Sequence, residues 1–372
     1  MEPSNLSLKI IFFLCCFLLT SGSGIQLIQG SPLHRHRHRH RHRHQVTDGA
    51  SRPTKLFVFG DSYADTGNIR KSFGGAWKDP YGSTFPGKPA GRFSDGRVLT
   101  DYIAKFLGLK SPLAYEWRKY GGKKFRNGMN FAYGGSGVFD TLADILPNMT
   151  TQIGFFENLI DNNNLDHDHD HPLYVNQDLQ CSVFLVSLTG NDYGAYLNNG
   201  GTMEGIRSFI PRVINQLTLN LNRMYELGAR RVLVTALPPL GCLPQMTAGN
   251  SFQRCNATQN SAVGYHNLLL QQAVAELNNE TRSSTFFVVD LYSTFERVLD
   301  RNGGFESGLK PCCVANSAGY FCGSVDENGK KMYTVCSDPK SAFFWDSSHP
   351  TEAGWEAVFM NLQSSLQQFF GY

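Results

Sequence analysis

The chain has 372 residues, with 34 Lys and Arg against 31 Asp and Glu and a formal net charge of +3. That length suits one large α/β domain or two small ones. Five of the arginines fall in a single Arg-His tract, and beyond Ser51 the charges nearly cancel, so the balance implies no nucleic-acid partner.

In chain order, the first signal is N-terminal. Lys9 precedes the ten apolar residues 10–19, which give way to Thr20, Ser21, Gly22, Ser23 and Gly24. A cation, a short apolar core and small residues are the layout of a secretory signal peptide, predicted over residues 1–23. The apolar run is half the roughly 20 residues that a membrane span needs. No later segment is long enough either, so the mature chain is expected to be secreted and to carry no integral membrane segment. From His34 to His44, histidine and arginine alternate without an apolar residue. Such a stretch has no face to bury, and residues 24–54 are expected to form a disordered Arg/His-rich segment. A solvated linker is the plain reading; weak polyanion or metal binding by the tract is the alternative.

Strand-like and helix-like segments then alternate. Predicted strands are residues 56–59, 129–132, 183–188, 231–236 and 285–291, each short, rich in β-branched or aromatic residues, and closed by Gly, Asn, Asp or Pro. Helical patterns cover residues 98–107, 151–162, 203–227, 259–278 and 351–370. Buried strands separated by helices argue for a parallel sheet covered on both faces. Neither an internal repeat nor a linker follows Lys55, which predicts one domain over residues 55–372. The repeat Asp166-His167-Asp168-His169-Asp170-His171 reads as a mobile surface loop, with weak divalent-ion binding as the alternative.

Cys15 and Cys16 fall in the signal, leaving seven cysteines. Cys181 precedes a buried-strand run and reads as a small core hydrophobe. The other six lie in loops, and Cys242 with Cys255 and a second cluster from Cys312 to Cys336 suit disulfides in an oxidising compartment. A zinc site is the rival, but no pair of these six shows the close Cys-x-x-Cys spacing, and no metal is expected. The sequons at Asn148, Asn256 and Asn279 are compatible with glycosylation.

Chemistry concentrates at the ends of the strands. The run Phe57-Val58-Phe59 breaks into Gly60-Asp61-Ser62, as a buried strand does when it delivers a hydroxyl to the top of a sheet. On its own that tripeptide is ordinary turn chemistry. The histidines change the balance, because outside the two His-rich repeats only His266 and His349 remain. A base near neutral pKa is almost always His. His266 lies in a helical pattern and reads as a helix-face residue. His349 follows Asp346 by three residues, a spacing that lets both side chains project to one side, and Pro350 can then open a helix. Ser62, His349 and Asp346 thus supply nucleophile, base and orienter. Parallel strands would bring Gly134-Gly135-Ser136-Gly137 and Asn191-Asp192 to the same rim, offering donors for an oxyanion. The Gly-x-Ser-x-Gly elbow of another hydrolase design is not present in the chain.

These blocks carry a resemblance. Phe59-Gly60-Asp61-Ser62 with Asp65-Thr66-Gly67-Asn68, Asn130-Phe131-Ala132-Tyr133-Gly134-Gly135, Gly190-Asn191-Asp192, and Asp346-Ser347-Ser348-His349-Pro350-Thr351 resemble, in order, the four blocks of the plant GDSL esterase/lipase family, part of the SGNH hydrolases. The likeness runs from Lys55 to the C-terminus. It implies a three-layer flavodoxin-like α/β fold with a five-stranded parallel sheet and helices on both faces. It implies Ser62 as nucleophile and oxyanion donor, Gly135 (or Gly134 in the other register) and Asn191 as further donors, His349 as base and Asp346 as its orienter, with no cofactor. Where the family usually has Leu after the serine this chain has Tyr63, which bears on substrate fit.

The expected activity is hydrolysis of carboxylic esters, whether of lipids, acetylated sugars or phenolics, through a Ser62 acyl-enzyme, outside the cell in the wall or apoplast. The substrate would be a small-molecule or polysaccharide-linked ester. An acyltransferase using the same acyl-enzyme is one alternative. A non-catalytic protein that binds cell-wall polysaccharide through the Arg-His tract is another.

Overall fold

The computed structural model describes residues 52–142, 145–160, 173–300, 304–306 and 308–371. The expected signal peptide, the Arg-His tract and the Asp-His repeat therefore lie outside the described residues. A central sheet has the strand order β2-β3-β1-β4-β5-β6, formed by β1 (Lys55–Gly60), β2 (Leu113–Ala114), β3 (Gly128–Asn130), β4 (Ser182–Ser187), β5 (Val232–Thr235) and β6 (Phe286–Val289). Every pairing in it is parallel. β1 is the hub: Leu56 pairs with Gly128 on one side and Val183 on the other, and Leu56 through Phe59 are buried on both faces. A strand buried on both sides cannot alternate with polar residues, which is why this one reads as a continuous apolar run.

Helices cover the sheet: α1 (Leu99–Phe106), α2 (Met149–Ile160), α3 (Asn176–Gln180), α4 (Asn191–Asn198), α5 (Met203–Glu226), α6 (Pro244–Thr247), α7 (Ala257–Glu280), α8 (Leu291–Asp300) and α9 (Glu352–Phe370). The long ones begin where the chain offers a capping side chain. Thr202, Asn256 and Thr351 each accept a hydrogen bond from the backbone N–H three residues on, at Gly205, Gln259 and Gly354.

The sheet has six strands rather than the expected five. The extra one, β2, is a two-residue edge pairing held by register with β3, too short to leave a pattern in sequence. Four helices were also not anticipated, two of them, α3 and α6, only five and four residues long. α4 is polar and opens directly at Asn191, and α8 begins at Leu291, which the sequence assigns to the preceding strand. Cys181 is free and half-buried, because it sits in the turn leading into β4 rather than in the core.

A small antiparallel hairpin, β7 (Cys313–Ala315) with β8 (Tyr333–Val335), hangs beside the sheet. Disulfides Cys312–Cys336 and Cys313–Cys322 staple it, and Cys242–Cys255 closes a separate loop. The Cys312 and Cys313 N–H groups donate to Phe344 O at 2.9 Å and Trp345 O at 2.7 Å. The cross-linked hairpin thus braces the segment that leads into Asp346.

Candidate active site

β1 ends at Gly60 with φ +143°, and a Cβ there would lie 1.9 Å from Ser187 O of the neighbouring strand. Only glycine fits. Gln152 of α2 holds the same residue from the other side, accepting from Gly60 N at 2.8 Å and donating to Gly60 O at 2.9 Å. The chain then turns sharply, with Ala64 N and Asp65 N both donating to Asp61 O. That turn lifts Ser62 to the C-terminal edge of the sheet.

Ser62 Oγ lies 2.8 Å from His349 Nε2. The other ring nitrogen, Nδ1, lies 2.8 and 2.9 Å from the two Asp346 oxygens. Asp346 also accepts the N–H groups of Ser348 and His349, so the short turn itself orients carboxylate and imidazole toward each other. Tyr81, buried, donates its hydroxyl to Asp346 Oδ2 at 2.7 Å. Burial pushes the Asp346 carboxyl up, but the charge and ring N–H of His349 and the Tyr81 hydroxyl outweigh it, and the group titrates below the ordinary carboxylate range. Tyr63 is buried, and its hydroxyl donates to Ser348 O at 2.8 Å, tying the serine turn to the histidine loop. A leucine could not make that link.

Two further carboxylates build the other wall. Asp61 Oδ2 accepts from Thr189 N at 2.5 Å, Thr189 Oγ1 at 2.6 Å and Asn191 Nδ2 at 3.0 Å. Asp65 accepts from Gly67, Asn68 and Ile69 N–H and reaches across to Gly134 N at 2.9 Å. Burial raises both groups to about 6 despite these donors. Because Gly134 N–H is committed to Asp65, the free donor of the doublet is Gly135, whose φ is +88°. Among the described residues neither Ser62 N–H nor Gly135 N–H has an intramolecular acceptor. Asn191 stands at the same rim, with its second amide proton on Ser136 O at 2.9 Å. His266 lies elsewhere: it is buried in α7 with Nδ1 2.6 Å from the Tyr193 hydroxyl, and burial lowers it to about 3.

The five site residues singled out in the sequence thus meet at one edge. Gln152 and Tyr81 were missed, since a lone Gln in a helix and a Tyr in a loop carry no signal at a distance of 92 and 265 residues from their partners. Ser62, Gly135, Asn191 and His349 line a cleft of about 640 Å³, with Asp346 behind His349; its apolar lining includes Phe73, Leu142, Leu146, Leu197, Leu240 and Met246. No metal-binding cluster of His, Cys, Asp and Glu occurs among the described residues.

A doubly wound parallel sheet with this edge defines an α/β hydrolase-like protein. Sequence comparison narrows the class. The pattern of the GDSL-like lipase/acylhydrolase family matches residues 56–362, and the chain belongs to that family. It is 55% identical to GDSL esterase/lipase At5g03610 of Arabidopsis thaliana, over 85% of this chain and 87% of that protein. A second Arabidopsis thaliana relative, GDSL esterase/lipase At3g09930, is 49% identical over 85% of this chain and 89% of its own. Acetylajmalan esterase 2 of Rauvolfia serpentina is 32% identical over 80% of this chain and 86% of its own. The protein is a carboxylic ester hydrolase.

Proposed function

We propose that the protein is a secreted serine esterase that works through an acyl-enzyme on Ser62. The observation that carries this is the unbroken line Ser62 Oγ, His349, Asp346, with contacts of 2.8 Å on both ring nitrogens. His349 Nε2 takes the Ser62 proton as Oγ attacks the ester carbonyl. The oxyanion forms against Ser62 N–H and Gly135 N–H, and competes with Ser136 O for the second Asn191 proton. His349 returns the proton to the departing alcohol, then activates the water that frees the acid. Asp346, held ionised, keeps Nδ1–H pointed at itself and stabilises the imidazolium.

The three disulfides suit an oxidising compartment, which supports export. No helix among the described residues is long and apolar enough to cross a membrane. Asn256 and Asn279 are exposed, so their sequons are accessible for glycosylation. The apolar cleft favours esters with an apolar acyl or aryl group.

Hydrolysis of p-nitrophenyl esters of rising acyl length by wild type and Ser62→Ala tests the reading. The variant is expected to lose at least about 10⁴ in kcat. Retained turnover in Ser62→Ala would remove the serine from the mechanism.

A further inference from the structure

The near-neutral charge balance hides a local excess of cations. Residues 116–126 hold the five cations Arg118, Lys119, Lys123, Lys124 and Arg126 against the single carboxylate of Glu116. Lys71 joins this face, its Nζ 5.1 Å from the centre of the Trp77 ring and 5.9 Å from that of Trp117. Trp117 in turn lies 6.4 Å from Trp77 and 6.3 Å from Tyr120. Lys71, Lys119, Lys123 and Lys124 are exposed, and the salt bridges among the described residues involve none of them. The indole N–H groups turn inward, Trp77 to Ile69 O at 2.6 Å and Trp117 to Gly67 O at 3.2 Å. Ring faces, not polar edges, are left for an outside partner.

This face adjoins the mouth of the catalytic cleft. Phe73, two residues beyond Lys71, is 59% exposed and lines the cleft, as do Leu142 at 58% and Ile145 at 46%. Arg70 shares a neighbouring hollow with Ile145, where Glu116 and Asp140 offset its charge. Large apolar side chains gathered in water at a cleft mouth mark an interaction surface. A glycan would bring hydroxyl groups that these three side chains cannot bond. An anionic lipid surface meets both features, because its phosphates attract the lysines and its headgroup–acyl boundary takes Phe73, Leu142, Ile145 and the amphipathic rings of Trp117 and Tyr120.

We propose that this face docks the enzyme on anionic phospholipid bilayers, with the cleft mouth against the surface. Docking stands apart from the serine mechanism; only its consequence, that a lipid-borne ester enters from the bilayer side, rests on that reading. The test is co-sedimentation of the Ser62→Ala chain, with residues 34–44 retained, with phosphatidylcholine vesicles lacking or containing phosphatidylserine. Binding is expected only with phosphatidylserine and is expected to weaken with salt.

Each surface cation is worth roughly fivefold in affinity for such a bilayer, so Lys119→Glu/Lys123→Glu/Lys124→Glu should lower affinity by about 100-fold or more. Placed instead on the Ser62-bearing chain, the same three changes should leave p-nitrophenyl acetate hydrolysis at the wild-type rate, which certifies the fold. Phe73→Ser with Ile145→Ser should lower vesicle affinity by about tenfold or more through lost apolar burial. Vesicle binding unchanged by the lysine reversals would move it to the Arg-His tract and overturn the proposal. So would binding to polygalacturonate without binding to vesicles.

Discussion

Three buried carboxylates lie around Ser62, and their titration is shifted in opposite directions. Asp61 and Asp65 are raised to about 6, whereas Asp346 is held below the ordinary range. The number of hydrogen bonds does not separate them, since Asp65 collects four backbone N–H donors and is still raised. What Asp346 has in addition is direct contact with the imidazole of His349, a group that can carry the opposite charge and that reaches Asp61 only weakly. Backbone donors can shape a turn around a carboxyl, but a buried carboxylate stays ionised when a cation is formed beside it. The two aspartates on the serine side are clamps, and the one on the histidine side is proposed to work with the imidazole.

The sharpest test of that contrast is Asp346→Asn, which keeps the shape and removes the charge. It is expected to cost about 10⁴ in kcat, because the amide favours the wrong imidazole tautomer. Steady-state kinetics at saturating substrate read it directly, and a loss under tenfold would put Asp346 among the clamps.

Acid stability separates the clamps from the buried base in α7. The folded pKa of His266 is lowered to about 3 from 6.5, so its contribution is present above pH 6.5 and is lost as pH falls toward 3. That term is on the order of 5 kcal/mol. Asp61 and Asp65 run the other way: their raised values favour the fold fully below about pH 3.8, and the benefit is lost as pH rises through 6. Thermal unfolding of wild type and His266→Asn from pH 7 to 4 should show a shallower decline in the variant, and parallel declines would refute the assignment.

Asn191→Ala is expected to lower kcat by about 10²–10³. Its amide bridges Asp61 and Ser136 O before substrate arrives. If kcat is unchanged while the unfolding temperature falls, Asn191 is another member of the clamp. The smallest effect is expected from Tyr81→Phe, which removes one donor to the Asp346 charge and should cost about 1.5–3 kcal/mol in stability by denaturant titration. No change would mean that the remaining donors suffice.

Much of this was legible in the chain. The buried run 56–59, the long helices and the cysteine groups are local patterns, and each reappears at nearly the expected boundaries. β2 was not legible, because a two-residue edge strand exists only through its partner. Nor was the choice between Gly134 and Gly135, which depends on a carboxylate reaching from Asp65, 69 residues away. The basic face was concealed because an overall balance of charge says nothing of its distribution.

The sequence by itself determined the class of chemistry: the Ser, His and Asp types, their order, and the glycine that must end β1. Residue type and short spacing carry that information within a few peptide units. Only the tertiary structure decided which N–H stays free, which carboxylate is kept ionised, and that Tyr63 and Tyr81 brace the loop carrying Asp346 and His349. Those outcomes depend on burial and on contacts between residues as many as 285 positions apart, which no local pattern encodes.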